Sequence, residues 1–124
     1  MKYEEFVREV ESRLQDPRPG EAESAIRATL ETLGERISRG EAEDIAAQLP
    51  DRLAIPLTRP GGEAEGFGLD GFYGRVAEKE GIEIDEATEH GAAVMTVLRQ
   101  AMSESELRDV RSQLPLEFYP LLHG

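Results

Sequence analysis

Residues 38–50, S-R-G-E-A-E-D-I-A-A-Q-L-P, return as residues 103–115, S-E-S-E-L-R-D-V-R-S-Q-L-P. In both copies a serine (Ser38, Ser103) stands three residues before a glutamate (Glu41, Glu106). An aspartate (Asp44, Asp109), a glutamine (Gln48, Gln113) and a closing Leu-Pro then keep the same offsets. At this shift of about 65 residues Leu30 falls on Met95, Leu33 on Leu98, Ile37 on Met102, Ile45 on Val110 and Leu49 on Leu114. Apolar positions coincide with apolar positions, which predicts two copies of one supersecondary unit.

The unit is helical by its periodicity. Tyr3, Phe6, Val7, Val10 and Leu14 form an apolar stripe at helical spacing, and Asp16-Pro17-Arg18-Pro19-Gly20 interrupts it. A second helix from about Glu21 carries Ile26, Leu30, Leu33 and Ile37, with Gly34 marking a close helix contact or mere tolerance. Ser38 with Glu41 reads as a capping box for a third helix, whose buried face is Ala42, Ile45, Ala46 and Leu49 and whose terminator is Pro50. The apolar piece 51–57 suits one helical turn before Pro56.

The second half replays this order. Leu69, Phe72, Tyr73 and Val76 form its first stripe, with Asp70 as candidate cap and Gly81 as stop. Asp85 is a candidate cap for a helix carrying Ala87, Gly91, Val94, Leu98 and Met102, and Ser103 with Glu106 starts a helix carrying Leu107, Val110 and Leu114. The expected fold is therefore all-α: two similar three-helix repeats, 1–57 and 69–124, packed into one helical bundle within a single domain, 1–124. Residues 58–68, rich in glycine, form the connector and are expected to be its loosest internal segment. Each copy alone, at about 60 residues, has too little core to stand comfortably by itself.

Composition narrows the function more by exclusion than by indication. A net charge of -12 repels phosphate backbones, so nucleic acid is not an expected partner. Cysteine is absent, which removes disulfides, thiolate metal sites and thiol nucleophiles. No apolar run approaches the ~20 residues of a membrane helix, and the opening Met-Lys-Tyr-Glu-Glu lacks the pattern of a secretion signal, so a cytoplasmic protein without membrane attachment is expected. Glu4/Arg8, Glu9/Arg13, Glu23/Arg27 and Glu104/Arg108 have the acid-first spacing of solvated helix pairs.

The pattern Tyr3, Phe6, Val10, then residues 30–50, then Phe72 and Val76, then Gln113-Leu114-Pro115 resembles the bacterial and archaeal family of domains of unknown function numbered 2267. The resemblance spans nearly the whole chain. It implies a compact helical protein of two similar halves, and brings no activity, substrate, cofactor or functional residue with it.

Candidate chemistry is sparse. Glu86 and His90 share a helix face and could contribute to a metal site, but two ligands do not make one, and a surface histidine beside a carboxylate is the expected reading. Asp44 and Asp109 recur and could face each other across a twofold axis. Ser38 and Ser103 are accounted for as caps, and Gly61, Gly62, Gly66 and Gly68 lack the strand, helix and lysine of a phosphate loop. Gln48 and Gln113 are expected to satisfy carbonyls of their own last turn, with a partner's backbone as the alternative. The apolar tail Phe118, Tyr119, Leu121 and Leu122 is expected to pack on the body, or else to form an interface. No catalytic, cofactor or metal residue is assigned, and no cofactor is expected. The expected function is a non-catalytic helical module for binding a protein partner or a second copy. The alternative is a small metal- or ligand-binding protein, or a hydrolase using Asp44, Asp109, Glu86 and His90. Of the repeated residues, Asp44, Gln48, Asp109 and Gln113 have no compelling structural task and mark the expected functional surface.

Overall fold

A computed structural model describes residues 1–123. Among them every regular element is helical: α1 (Tyr3–Glu11), α2 (Glu21–Arg36), α3 (Arg39–Ala46), α4 (Asp51–Thr58), α5 (Leu69–Glu80), α6 (Ile84–Ala101), α7 (Glu104–Gln113), a 3-10 turn (Leu116–Phe118) and α8 (Tyr119–Leu122). No helix among them is long and apolar enough to cross a membrane.

The two longest helices, α2 and α6, pack against each other and carry the centre of the bundle. Both α1 and α5 contact this pair, α4 lies on α2, α8 lies on α6, and α3 meets α7. Most side chains expected to point inward do so: Phe6, Val10, Ile26, Leu30, Leu33, Ile37 and Ile45 from the first half meet Phe72, Val76, Val94, Leu98 and Val110 from the second in one apolar cluster, while Ala46, Leu49, Leu69, Tyr73, Met102 and Leu114 are only partly buried against it. Removing a side chain of this size from water contributes about 1.5–3 kcal/mol. Neither half could therefore lose its partner without exposing much of its core.

Gly34 is a close contact. A Cβ there would land on the Leu57 carbonyl oxygen, so the missing side chain lets α4 lie directly on α2. Gly81 ends α5 in the left-handed region (φ 68°), where a side chain would be strained. The apolar piece after Pro50 is longer than the single turn expected from the sequence. It runs through Pro56 as α4, because Leu53, Pro56 and Leu57 gain burial against α2, which outweighs the one backbone hydrogen bond that proline cannot donate. Each half thus contributes a fourth short helical element, α4 or α8, beyond the three expected.

Several expected caps are replaced. Asp70 and Asp85 lie within first turns instead of capping them; the cap residues are Gly68 and Glu83. At α5 the work passes to a distant residue, since the Leu69 N–H donates to Glu117 Oε1 (3.0 Å). Helix α3 ends at Ala46, four residues before Pro50, through tightened bonds from the Gln48 and Leu49 N–H groups to the Ile45 and Ala46 carbonyls. Pro50 instead stands at the start of α4.

The glycine-rich connector is pinned along its second part. The Glu65 N–H donates to the Glu35 carbonyl (2.8 Å), Arg36 Nε donates to the Phe67 carbonyl (2.8 Å), and the Arg75 guanidinium lies 3.9 Å from the centre of the Phe67 ring. The apolar tail packs on the body, as expected: Phe118, Leu121 and Leu122 are buried, and Phe118 meets Phe72 edge to face. Tyr119 alone of the four is exposed, stacked on His123 at 3.9 Å.

Candidate functional site

The repeated segments meet where α3 faces α7, and their side chains exchange partners. Ser38 and Ser103 cap their helices as expected, accepting from the Glu41 and Glu106 N–H groups at 3.2 and 3.1 Å. In a capping box the glutamate would return to the serine's own N–H. Here a glutamine from the opposite segment occupies that place. The Ser38 N–H donates to Gln113 Oε1 (2.8 Å) while Gln113 Nε2 donates to Ser38 Oγ (3.2 Å). Reciprocally, the Ser103 N–H donates to Gln48 Oε1 (3.1 Å) and Gln48 Nε2 donates to Ser103 Oγ (3.4 Å). Gln48 and Gln113 therefore do not serve their own last turns; each completes the cap of the other segment's helix.

The displaced glutamates turn toward each other. Carboxylate oxygens of Glu41, Glu106 and Asp109 all lie within 4.8 Å of one another. Glu41 is only 6% exposed, and the Oε2 atoms of Glu41 and Glu106 are buried with no hydrogen-bond partner. Burial, then a hydrogen bond to the Glu106 carboxyl, then the charges of Glu106, Asp109 and Asp44 push Glu41 up to about 7. Of the four residues singled out from the sequence, the structure brings Asp109 into this cluster, leaves Asp44 exposed at its edge, and gives the two glutamines to capping.

His90 departs from the expected surface position. It is fully buried, with Nδ1 2.9 Å from Glu80 Oε2 and Nε2 2.9 Å from Glu21 Oε2, so it ties α6 to α5 and to α2. Burial opposes its charge, but the hydrogen bonds and charges of Glu80 and Glu21 outweigh it and raise its pKa. A neutral imidazole has a single N–H, whereas the imidazolium donates to both carboxylates. Glu86 comes near the same place, its oxygen within 4.8 Å of donor atoms of Glu21 and His90. Arg18 already binds both acids, at 3.1 Å to Glu21 and 3.2 Å to Glu86. Ser24 donates to Glu80 (3.0 Å), and both histidine nitrogens face carboxylates, so the histidine has no free nitrogen to act as a base toward that serine.

A third feature lies between α1, α2 and α4. An open groove of about 430 Å³ is lined by Tyr3, Ile26, Ile55 and Pro56 together with Arg27, Arg52, Arg59 and one acid, Glu23. The Arg52 guanidinium stacks 3.9 Å above the Tyr3 ring, and Arg59 pairs with Glu31 at 2.9 Å. Among the described residues Arg27 and Arg52 have no carboxylate within ion-pair distance; the expected Glu23/Arg27 pair does not form.

The sequence profile of the family described as Uncharacterized conserved protein (DUF2267) matches residues 3–121. The chain belongs to this family. Junction, histidine bridge and arginine groove all lie within the matched DUF2267 region. No curated protein and no solved structure matches the chain.

Sequence reasoning missed Glu41 and Glu106 because the capping box explained them away. The available signal was their spacing: Glu41/Asp44 and Glu106/Asp109 are three apart, on one face of each helix, and both pairs recur. The Glu21–His90–Glu80 bridge had no such signal, since Glu21 is far from the other two in sequence and His90 and Glu80 fall on Ala25 and Gln15 in the other half.

Proposed function

We propose that this DUF2267 chain is a non-catalytic binding module, built from two copies of one helical unit, whose arginine groove takes an acidic, partly apolar segment of a protein partner. The observation that carries this reading is the concentration of Arg27, Arg52 and Arg59 around an apolar floor on a protein of net charge -12. Among the described residues Arg27 and Arg52 have no carboxylate partner, and they stand with Arg59 around one groove on a chain of 26 acidic and 14 basic residues. Ile55, 53% exposed, and the Tyr3 ring supply area for an apolar side chain, while the guanidiniums offer forked donors to carboxylates.

The matched capping between the repeated segments supports the two-copy part of the reading. It assigns Gln48, Gln113, Ser38 and Ser103 to holding the halves together, which leaves the groove as the better binding surface. The groove is formed by one half only. At the shift of 65 residues the second half has Ala92 and Glu117 where the first has Arg27 and Arg52, so the halves differ at the groove's arginines.

The reading is tested by fluorescence anisotropy with a labelled decapeptide of alternating glutamate and leucine. Binding is expected at low salt, weakening as salt rises, and lost in the double variant Arg27→Glu/Arg52→Glu. Equal binding by the variant, or none by the native chain, contradicts it. Light scattering of the native chain distinguishes the case in which the occupant is an acidic face of a second copy: a dimer that the same double variant dissociates.

A further inference from the structure

We propose that Glu41 and Glu106, with Asp109 at the open side, form a binding site for a hard divalent cation at the junction of α3 and α7. The site is separate from the arginine groove and does not depend on it.

The argument begins with distance. Two donors on one ion can be no farther apart than twice the metal–oxygen bond, which for calcium at 2.3–2.6 Å is about 4.6–5.2 Å. The three carboxylates bring oxygens within 4.8 Å of one another, inside that limit without any movement of the helices. The same bound admits magnesium, but magnesium demands a near-ideal octahedral shell, whereas calcium accepts an irregular set of oxygens such as these, so calcium is the better fit. The donors are all oxygen, which excludes a preference for soft metals.

Burial supplies the second, independent observation. Glu41 is 6% exposed and its Oε2 has no donor, and the Oε2 of Glu106 is also buried without one. The two carboxyls can hydrogen-bond only when one of them holds a proton; with both ionised neither Oε2 has a donor, and among the described residues no lysine or arginine is paired with either glutamate, which is costly. These oxygens are available only because Gln48 and Gln113 took over the cap positions that the glutamates would otherwise fill. Asp109 is exposed, so the mouth of the site is open and water can complete the coordination shell. A cation here would join α3 to α7.

The test uses the full chain, stripped of metal, melted by circular dichroism at pH 7.5 in chelator and then in calcium, magnesium or manganese chloride at matched ionic strength. Native protein is expected to gain about 5 °C or more in saturating calcium, with smaller gains in manganese and magnesium. The shift is expected to vanish in Glu41→Gln and Glu106→Gln, whose neutral amides relieve repulsion and keep the chain folded, and to shrink in the exposed variant Asp109→Asn. Titration calorimetry should give one ion per chain. A melting temperature unmoved by all three cations overturns the proposal, and so does a shift that persists unchanged in both glutamine variants, which is general screening.

Discussion

Single hydrogen bonds decide how the two repeated segments are read. Gln113 makes two bonds to Ser38, at 2.8 and 3.2 Å, and is partly buried, while Gln48 makes the longer pair to Ser103 and is exposed. Losing the partner of a buried N–H costs about 1–3 kcal/mol, and less where water can replace it. Gln113→Ala should therefore destabilise by about 1–2 kcal/mol and Gln48→Ala by under ~1 kcal/mol, measured by urea unfolding. Equal effects, or a larger one at Gln48, would mean that the cross-segment caps are not what holds these residues. Gly34→Ala is a second case, because the added carbon meets the Leu57 backbone, which cannot step aside without moving α4. It should cost more than the ~1 kcal/mol that alanine normally gains over glycine in a helix, so the melting temperature falls instead of rising.

At the scale of elements, the Glu21–His90–Glu80 bridge ties three helices by charge, and its sign can be followed with pH. The folded pKa of His90 is raised above its ordinary 6.5, so its stabilisation is fully present below that value and is lost as pH rises through the folded one. The Glu21 carboxyl is held below its ordinary 4.5, first by the Arg18 backbone N–H and then, against burial, by His90 and the Arg18 side chain, so its contribution is present above 4.5 and lost as pH falls through the folded value. In cation-free buffer Glu41, raised to about 7, adds a contribution that is present below 4.5 and lost as pH climbs through 7. Stability should then be greatest near pH 4.5, decline toward pH 7 as Glu41 ionises, and fall further above 6.5 as His90 loses its proton. His90→Ala leaves Glu80 buried without its counter-charge, should cost about 3–5 kcal/mol at pH 6, and should flatten that decline. A pH profile identical to the native one would show that the histidine is not charged in the fold.

Helix starts, stripes and the inward positions were legible because they are local: Ser38, Ser103, Gly81 and the apolar spacings each announce themselves within a few residues. What escaped were pairings across the molecule. A capping glutamate and a cross-pairing glutamate look identical in sequence, and only the position of Gln113 beside Ser38 tells them apart. Leu49 and Leu114, expected in the core, lie only half-buried at the ends of α3 and α7, so truncating Leu114 should fall at or below the bottom of the ~2–5 kcal/mol range of full core sites.

For the whole molecule, the tail and the groove separate structure from function. Cutting the chain after Pro115 removes Phe118, Leu121 and Leu122, each buried and together worth roughly 4 kcal/mol or more, so the truncated protein should lose its cooperative melt. A shortened chain of unchanged stability would contradict this packing, and only a full-length dimer that the cut dissociates would return the tail to the role of an interface. The groove predicts the opposite behaviour, since Arg27, Arg52 and Ile55 line its open surface and can change without unfolding the bundle. The most direct measurement of the central claim is a set of amide NMR spectra recorded while the acidic decapeptide is added to the native chain. Shifts confined to α1, α2 and α4 around Tyr3, Arg27, Arg52 and Ile55 are the expected result. Shifts centred instead on Leu116 and Tyr119, or none at any peptide concentration, would contradict it.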